Sequence, residues 1–332
     1  MLQSEKLFKS ITTPYSALTS VIFGLMIISF PMGVYVVFNT DIGQEINFQY
    51  PQDGIDIFLA GIGIKIPIQF EIGDGFILIW SAYLILFAIS LSGPKTNLIK
   101  TLSSLMVDGW QNIKNNYLFS MITWFSILIV FSVIIDSVQQ SFGVPTESPE
   151  FSNKLIQFFQ ITKSPLTEEI GFRILLVGLP LYAMFSHKAS FAHFFKSLWH
   201  PSKHLEITNY KKAIILIITV GIFFGASHII SGTPWSAGKF AQATVSGIII
   251  GWVYIRHGLA PAILIHWATN YFIFSYIFFM SDVNQSSIPS VVSNPFFNML
   301  EIIFLITGTL AITMFVLNYL KSKKEPAALT PA

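Results

Sequence analysis

The stretch Thr167-Glu168-Glu169-Ile170-Gly171-Phe172-Arg173 places three ionisable groups within six residues of an otherwise apolar segment. Each such group at the centre of a membrane span costs roughly 2.5–3.5 kcal/mol, so on the order of 8–10 kcal/mol must be offset by partners. Glu169 and Arg173 stand four apart with the acid first, so they share a helix face, which predicts a mutual ion pair. Glu168 projects about 100° away from Glu169 and lacks a local partner. It must face another helix, a cavity or water, unless it simply caps a helix start after Pro165 and Thr167, where carboxylates are favoured. Phe224-Gly225-Ala226-Ser227-His228 ends one apolar run, just before the breakers Ser231-Gly232-Thr233-Pro234, and His266-Trp267-Ala268-Thr269-Asn270 lies within another. Either histidine alone is more often an interhelical hydrogen bond than a reactive group. Together with a free glutamate and an asparagine they point to one shared site, because buried polar groups in hydrocarbon need partners and each other are the cheapest ones.

The chemistry open to this set is narrow. The sequence has no cysteine, which excludes thiolate nucleophiles, thiolate zinc sites and disulfides. Ser227 does not complete a GxSxG turn, since Ile229 stands where the second glycine is needed, and neither an HExxH zinc signature nor a GxGD aspartate motif is found. What remains is a carboxylate that accepts a proton from water. A carboxylate withdrawn from bulk water holds a proton more tightly, which suits a general base. His266 and Asn270 can donate hydrogen bonds to a developing oxyanion. Alternatively, Glu168, His228 and His266 supply three ligands to a catalytic zinc with water in the fourth position. The residues alone leave both open: no cofactor, or a single zinc ion.

These groups have to be held by membrane helices. Hydrophobic residues make up 53% of the 332 and charged residues 11%, with a mean hydropathy of +0.64; a soluble domain carries about 25% charge. Apolar runs at 15–39, 76–93, 117–139, 164–186, 213–231, 240–256, 259–280 and 296–320 are each near the roughly 20 residues that one crossing needs. The expectation is an all-α polytopic bundle of about eight transmembrane helices, forming a single membrane domain over 1–332. Gly221 with Gly225, and Gly247 with Gly251, have the spacing that lets helix backbones approach closely. Segments 94–116 and 187–212 mix aromatic and aliphatic residues with Lys and His and read as helices lying on the membrane surface. The acidic segment 40–75 reads as a solvated outer loop with short strands or a cap around Ile64–Phe70. Trp80, Trp110 and Trp199 fall where interfacial anchoring is expected. No cleavable leader is expected, because the first apolar run starts near Tyr15 and is too long for one.

With the N-terminus inside, fourteen Lys and Arg residues fall in inner segments and four in outer ones (Lys65, Lys154, Lys163 and Lys239). This bias predicts cytoplasmic termini and a multi-pass protein of the cell membrane, or of the endoplasmic reticulum in a eukaryote. On that topology His266 sits nearer the inner end of its span than Glu168 and His228 do of theirs, which requires the Arg256–Pro261 connection to dip into the bilayer. The lipid bilayer is the surrounding partner, and nucleic acid is not an expected one.

The three polar segments, in this order and on separate spans, resemble the motifs EExxxR, FxxxH and HxxxN of the CAAX-processing type II prenyl protease and bacteriocin-processing (Abi) family. All are complete as Glu168-Glu169…Arg173, Phe224…His228 and His266…Asn270. Each motif is weak alone; the three together are specific. The resemblance covers about 160–275 and leaves 1–150 as accessory spans. It implies an intramembrane endopeptidase acting near the C-terminus of a peptide or protein, in eukaryotic relatives a prenylated one. By resemblance Glu168 would be the water-activating base, His228 its partner in holding the water, and His266 and Asn270 the oxyanion site. Glu169, Arg173 and Phe224 would be structural support. The family has been described both as metal-dependent and as glutamate-dependent. Two rivals remain, a proton-coupled transporter and an inactive peptide-binding, immunity-type protein; the missing internal repeat weighs against the first and the intact motifs against the second.

Overall fold

The computed structural model describes residues 2–59, 62–109, 116–144, 146–147, 151, 153–230 and 235–324. Trp110 and the breakers 231–234 lie outside them. The chain opens with α1 (Leu2–Asn39), followed by a short β segment. Strand β1 (Pro51–Gln52) pairs antiparallel with β4 (Phe70–Glu71), and β2 (Ile55–Leu59) forms a hairpin with β3 (Ile62–Ile66). The helices α2 (Ile72–Ser92), α3 (Leu98–Asp108) and α4 (Tyr117–Ser141) follow. Next comes a rod in three parts: α5 (Lys154–Glu169), a π-helical stretch (Ile170–Gly178) and α6 (Leu179–Phe185). Short α7 (Phe191–Trp199) and α8 (Pro201–His204) lead to α9 (Tyr210–Ile230) and α10 (Lys239–His257). A second rod consists of α11 (Leu259–Trp267), a π-helical stretch (Ala268–Phe272) and α12 (Ile273–Val283), and α13 (Ile288–Val292) and α14 (Pro295–Lys324) complete the chain.

The all-α membrane bundle expected from hydropathy is what is found. Six helices are long and apolar enough to cross a bilayer: Ser10–Asn39, Ile72–Ser92, Tyr117–Ser141, Tyr210–Ile230, Leu259–Val283 and Pro295–Lys321. The expected spans at 164–186 and 240–256 are helical but do not meet that standard, because Glu168, Glu169 and Arg173 dilute the first and Gln242 and Arg256 the second. The polar residues that suggested a site are thus the same ones that weaken the hydropathy signal.

Helix starts follow the expected chemistry. Asn97, Asn116, Asn153 and Ser190 each accept a backbone N–H of the first turn of α3, α4, α5 and α7, satisfying donors a helix leaves unpaired. Asn116 also donates to the carbonyls of Leu91, Gly93 and Thr96, tying the end of α2 to the start of α4. The cap at Asn153 settles the position of Glu168: it lies at the far end of α5, not at its start, so it does not serve as an N-terminal cap.

The glycine pairs do what their spacing implies. A Cβ on Gly221 would sit 2.5 Å from the Ile248 side chain, one on Gly225 would sit 2.7 Å from the Phe240 carbonyl, and one on Gly247 would sit 3.1 Å from the Gly221 Cα. Antiparallel α9 and α10 therefore touch backbone to backbone. In lipid this close van der Waals packing, not water exclusion, holds helices together. At the centre every residue of α11 is buried. Trp267 fills the middle, stacked on Phe30 (5.4 Å between centroids) and edge-on to Phe87 (4.8 Å).

Trp80 departs from expectation: it is 5% exposed, packed among Phe38, Phe76 and Tyr271, and is a core residue, not an interfacial anchor. Segment 40–75 is more built than a solvated loop. Asn153 donates to the Gly43 carbonyl at 2.6 Å, Gly73 N–H to the Phe48 carbonyl at 2.8 Å, and β2 runs beside α5 and the first π stretch. Helix α7 buries His193, Ser197 and Leu198 and exposes Phe191 and Phe195, the one-sided pattern of a surface helix.

Candidate active site

The first motif straddles the junction of α5 with its π-helical stretch. Glu169 is the last α-helical residue and Arg173 lies one turn on, both with 0% side-chain exposure. Arg173 Nε lies 2.8 Å from Glu169 Oε2, so the ion pair expected from the i,i+4 spacing is formed. The Nε–H is not aimed along that line, and the hydrogen bond between the two residues is a long one, from Arg173 Nη2 to Glu169 Oε1 at 3.5 Å, so the attraction is chiefly one of charge. The guanidinium also sits 5.2 Å above the Phe224 ring, a cation–π contact. That gives Phe224 a role in holding Arg173.

Glu169 has a second partner that sequence did not disclose. Its Oε1 lies 2.9 Å from His266 Nδ1, so the carboxylate bridges Arg173 and His266 across 97 residues. The bond makes Nδ1 the donor and leaves Nε2 for other work. His266 Nε2 in turn stands 3.8 Å from Glu168 Oε2, too far for a direct hydrogen bond. Glu168 Oε2 is buried with no hydrogen-bond partner among the described residues.

His228 ends α9 with its Nδ1 donating to the Phe224 carbonyl at 2.8 Å, which again leaves Nε2 uncommitted. Phe224 spaces the two imidazoles, with its ring 4.7 Å from that of His228 and 5.8 Å from that of His266. Asn270 lies in the second π stretch, so the HxxxN motif, like EExxxR, spans an α/π junction. The single Thr269 hydroxyl proton goes to the His266 carbonyl at 2.9 Å; Asn270 Oδ1, 3.4 Å away, receives a weaker contact. The Asn270 amide is therefore largely uncommitted.

Glu168, His228, His266 and Asn270 all line one cavity of about 590 Å³, as does Phe224, while Glu169 and Arg173 stand behind its wall. The connection before His266 is packed against α7 and the residue that follows α7. Gly258 is buried with φ +92°, and a Cβ there would lie 2.9 Å from the Trp199 carbonyl and 3.3 Å from the His200 ring. Eight helical residues, Leu259–His266, then carry the chain about 12 Å along the rod to His266.

For a zinc ion the donor types suit: both imidazoles have Nδ1 engaged by an acceptor and Nε2 available, as second-shell partners arrange for metal ligands. The placement does not. Among the described residues no three His, Asp or Glu side chains converge as a metal-binding group, and His228 does not come within 4.0 Å of Glu168.

Fold and site together define a polytopic helical membrane protein with a glutamate, two histidines and an asparagine facing an internal cavity. Residues 152–272, which contain these four side chains together with Glu169, Arg173 and Phe224, match the family model for Rce1-like type II CAAX prenyl endopeptidases. The match bears out the resemblance carried by the three motifs over nearly the same stretch. No curated protein and no solved structure matches the chain.

Proposed function

We propose that the protein is an intramembrane endopeptidase that cleaves a peptide bond near the C-terminus of a peptide or protein, prenylated or not, with Glu168 activating the attacking water. The observation that carries this reading is the buried, unpartnered Glu168 Oε2 held 3.8 Å from His266 Nε2 at a cavity wall. Two polar atoms at that separation are suited to sharing a water. Glu168 takes a proton from this water while the oxygen attacks the scissile carbonyl, with His228 Nε2 accepting the second O–H. The carbonyl oxygen becomes an oxyanion, to which the Asn270 amide donates, with His266 lining the same oxyanion site. Collapse breaks the C–N bond, and Glu168 delivers its proton to the leaving amine. Glu169 acts through His266, fixing which ring nitrogen faces the cavity.

The reading is metal-independent, because the carboxylate that would bind zinc is the base and the imidazoles stand apart. The test is purified protein acting on fluorogenic farnesylated and unmodified peptides in detergent. Hydrolysis by the parent, loss of it in Glu168→Gln with unchanged melting, and full activity in chelator with no stoichiometric metal is the expected result. Activity of Glu168→Gln equal to the parent would remove Glu168 from its role. Activity abolished by chelator and restored by zinc would replace the base by a metal centre. Peptide binding without hydrolysis in the parent would favour an inactive binder.

A further inference from the structure

The same cavity carries a charge that the hydrolytic step does not use. Lys239, the first residue of α10, lines it together with Trp235, Gln242 and, from α5, Lys163. Its Nζ donates to Gln242 Oε1 at 2.9 Å and lies 4.2 Å above the Trp235 ring. An ammonium has three donors, and among the described residues no carboxylate forms an ion pair with this one. A cation at a helix N-terminus is opposed by the helix dipole, so Lys239 is badly placed for stabilising α10 and well placed for holding an anion there. Lys163, 6% exposed on the opposing rod, also lines the cavity, and Glu168 is the single carboxylate among the described lining residues.

We infer that Lys239 is a specificity residue that binds the free α-carboxylate of the substrate's C-terminus, so that the enzyme measures its cleavage position from the chain end. This rests on reading the site as a peptidase. A compact cavity of 590 Å³ spans roughly 10 Å, about the reach of three extended residues. The terminal carboxylate can thus sit on Lys239 while a bond a few residues upstream meets Glu168. The gain over an uncharged end is that of a charge-assisted hydrogen bond, about 10- to 100-fold in affinity.

The test compares the same peptides, farnesylated and unmodified, ending in a free acid or in a carboxamide, together with a carboxamide carrying Asp at its last position. Binding is read by fluorescence anisotropy on Glu168→Gln protein, and kcat/KM on protein with Glu168 intact. The expected result is tighter binding of the free acid than of either carboxamide by about 10- to 100-fold. The preference falls to about one in Lys239→Met and is kept in Lys239→Arg. Equal binding of acid and amide, or a preference that survives in Lys239→Met, would overturn the inference. So would an Asp carboxamide that binds as well as the free acid, because the site would then read any carboxylate. A free-acid preference in binding without hydrolysis would leave the carboxylate site standing and remove the peptidase.

Discussion

Glu169 is the most informative single residue to perturb, because its two oxygens serve different ends. One meets Arg173 at 2.8 Å and the other meets His266 at 2.9 Å, and neither Glu169 nor Arg173 has any exposed side chain. Glu169→Gln keeps the size and an oxygen that His266 Nδ1 can reach, but it removes the charge opposite Arg173. Breaking a buried pair by neutralising one partner typically costs 3–5 kcal/mol, whereas replacing both partners by uncharged groups is often neutral. The expected losses are therefore about 3–5 kcal/mol for Glu169→Gln and less than about 1.5 kcal/mol for Glu169→Gln/Arg173→Met. Activity should not recover with stability. With a neutral acceptor behind it, His266 is held less firmly, and loss of such an outer-shell partner typically costs 10- to 100-fold. Unfolding in denaturant and detergent, with kcat/KM on the same preparations, measures both. A double variant as unstable as the single one would refute the idea that an uncompensated Arg173 is the source of the loss. Full recovery of activity in the double variant would refute the orienting role of Glu169.

Three further outcomes follow from other parts of the molecule. Asn270→Ala should lower kcat by about 10²–10³-fold with little change in melting, as expected for one oxyanion donor; unchanged kcat would take Asn270 out of the reaction. Gly225→Val should destabilise the α9–α10 contact and depress activity, since its side chain would meet Thr244 and the Phe240 carbonyl, while Gly24→Ala, with nothing within 4 Å of the new Cβ, should melt like the parent; equal melting of all three proteins would contradict backbone contact between these helices. Burial of His200, at the end of α7, holds its pKa below the ordinary 6.5. The unfolded chain therefore takes up the proton first, so stability should fall as pH drops below about 6.5, and less so in His200→Asn; identical pH dependence of the two melting curves would count against it.

Much of this arrangement is legible in the residues alone. Apolar length gives six of the helices, the i,i+4 spacing gives the Glu169–Arg173 pair, and the small-residue spacing gives the α9–α10 contact. What escapes has physical causes. The π-helical stretches at Ile170–Gly178 and Ala268–Phe272 have no local signature, because such wide turns are unfavourable alone and are imposed by tertiary packing. The Glu169–His266 bond joins residues far apart in sequence, and no pattern along the chain announces it. Trp80 looks interfacial because its place in the sequence says nothing of Phe38 and Tyr271 around it. Lys239 reads as an outer-loop charge until α10 is seen to begin at the cavity.

The burial of α11 bears on how the chain is made. Leu259–Val283 has the lowest mean hydropathy of the six candidate spans, 1.4 against 2.1–2.5, and the largest buried share of its apolar stretch, 67% against 33–56%. A segment surrounded by protein gains little from lipid, so its partition from the translocon into the bilayer depends on neighbours already there to receive it. The neighbours of its α11 part, chiefly α2, α4, α5 and α10, are all synthesised earlier. His266 and Asn270 thus arrive after Glu168, Glu169 and His228, and the polar row closes only once its scaffold stands.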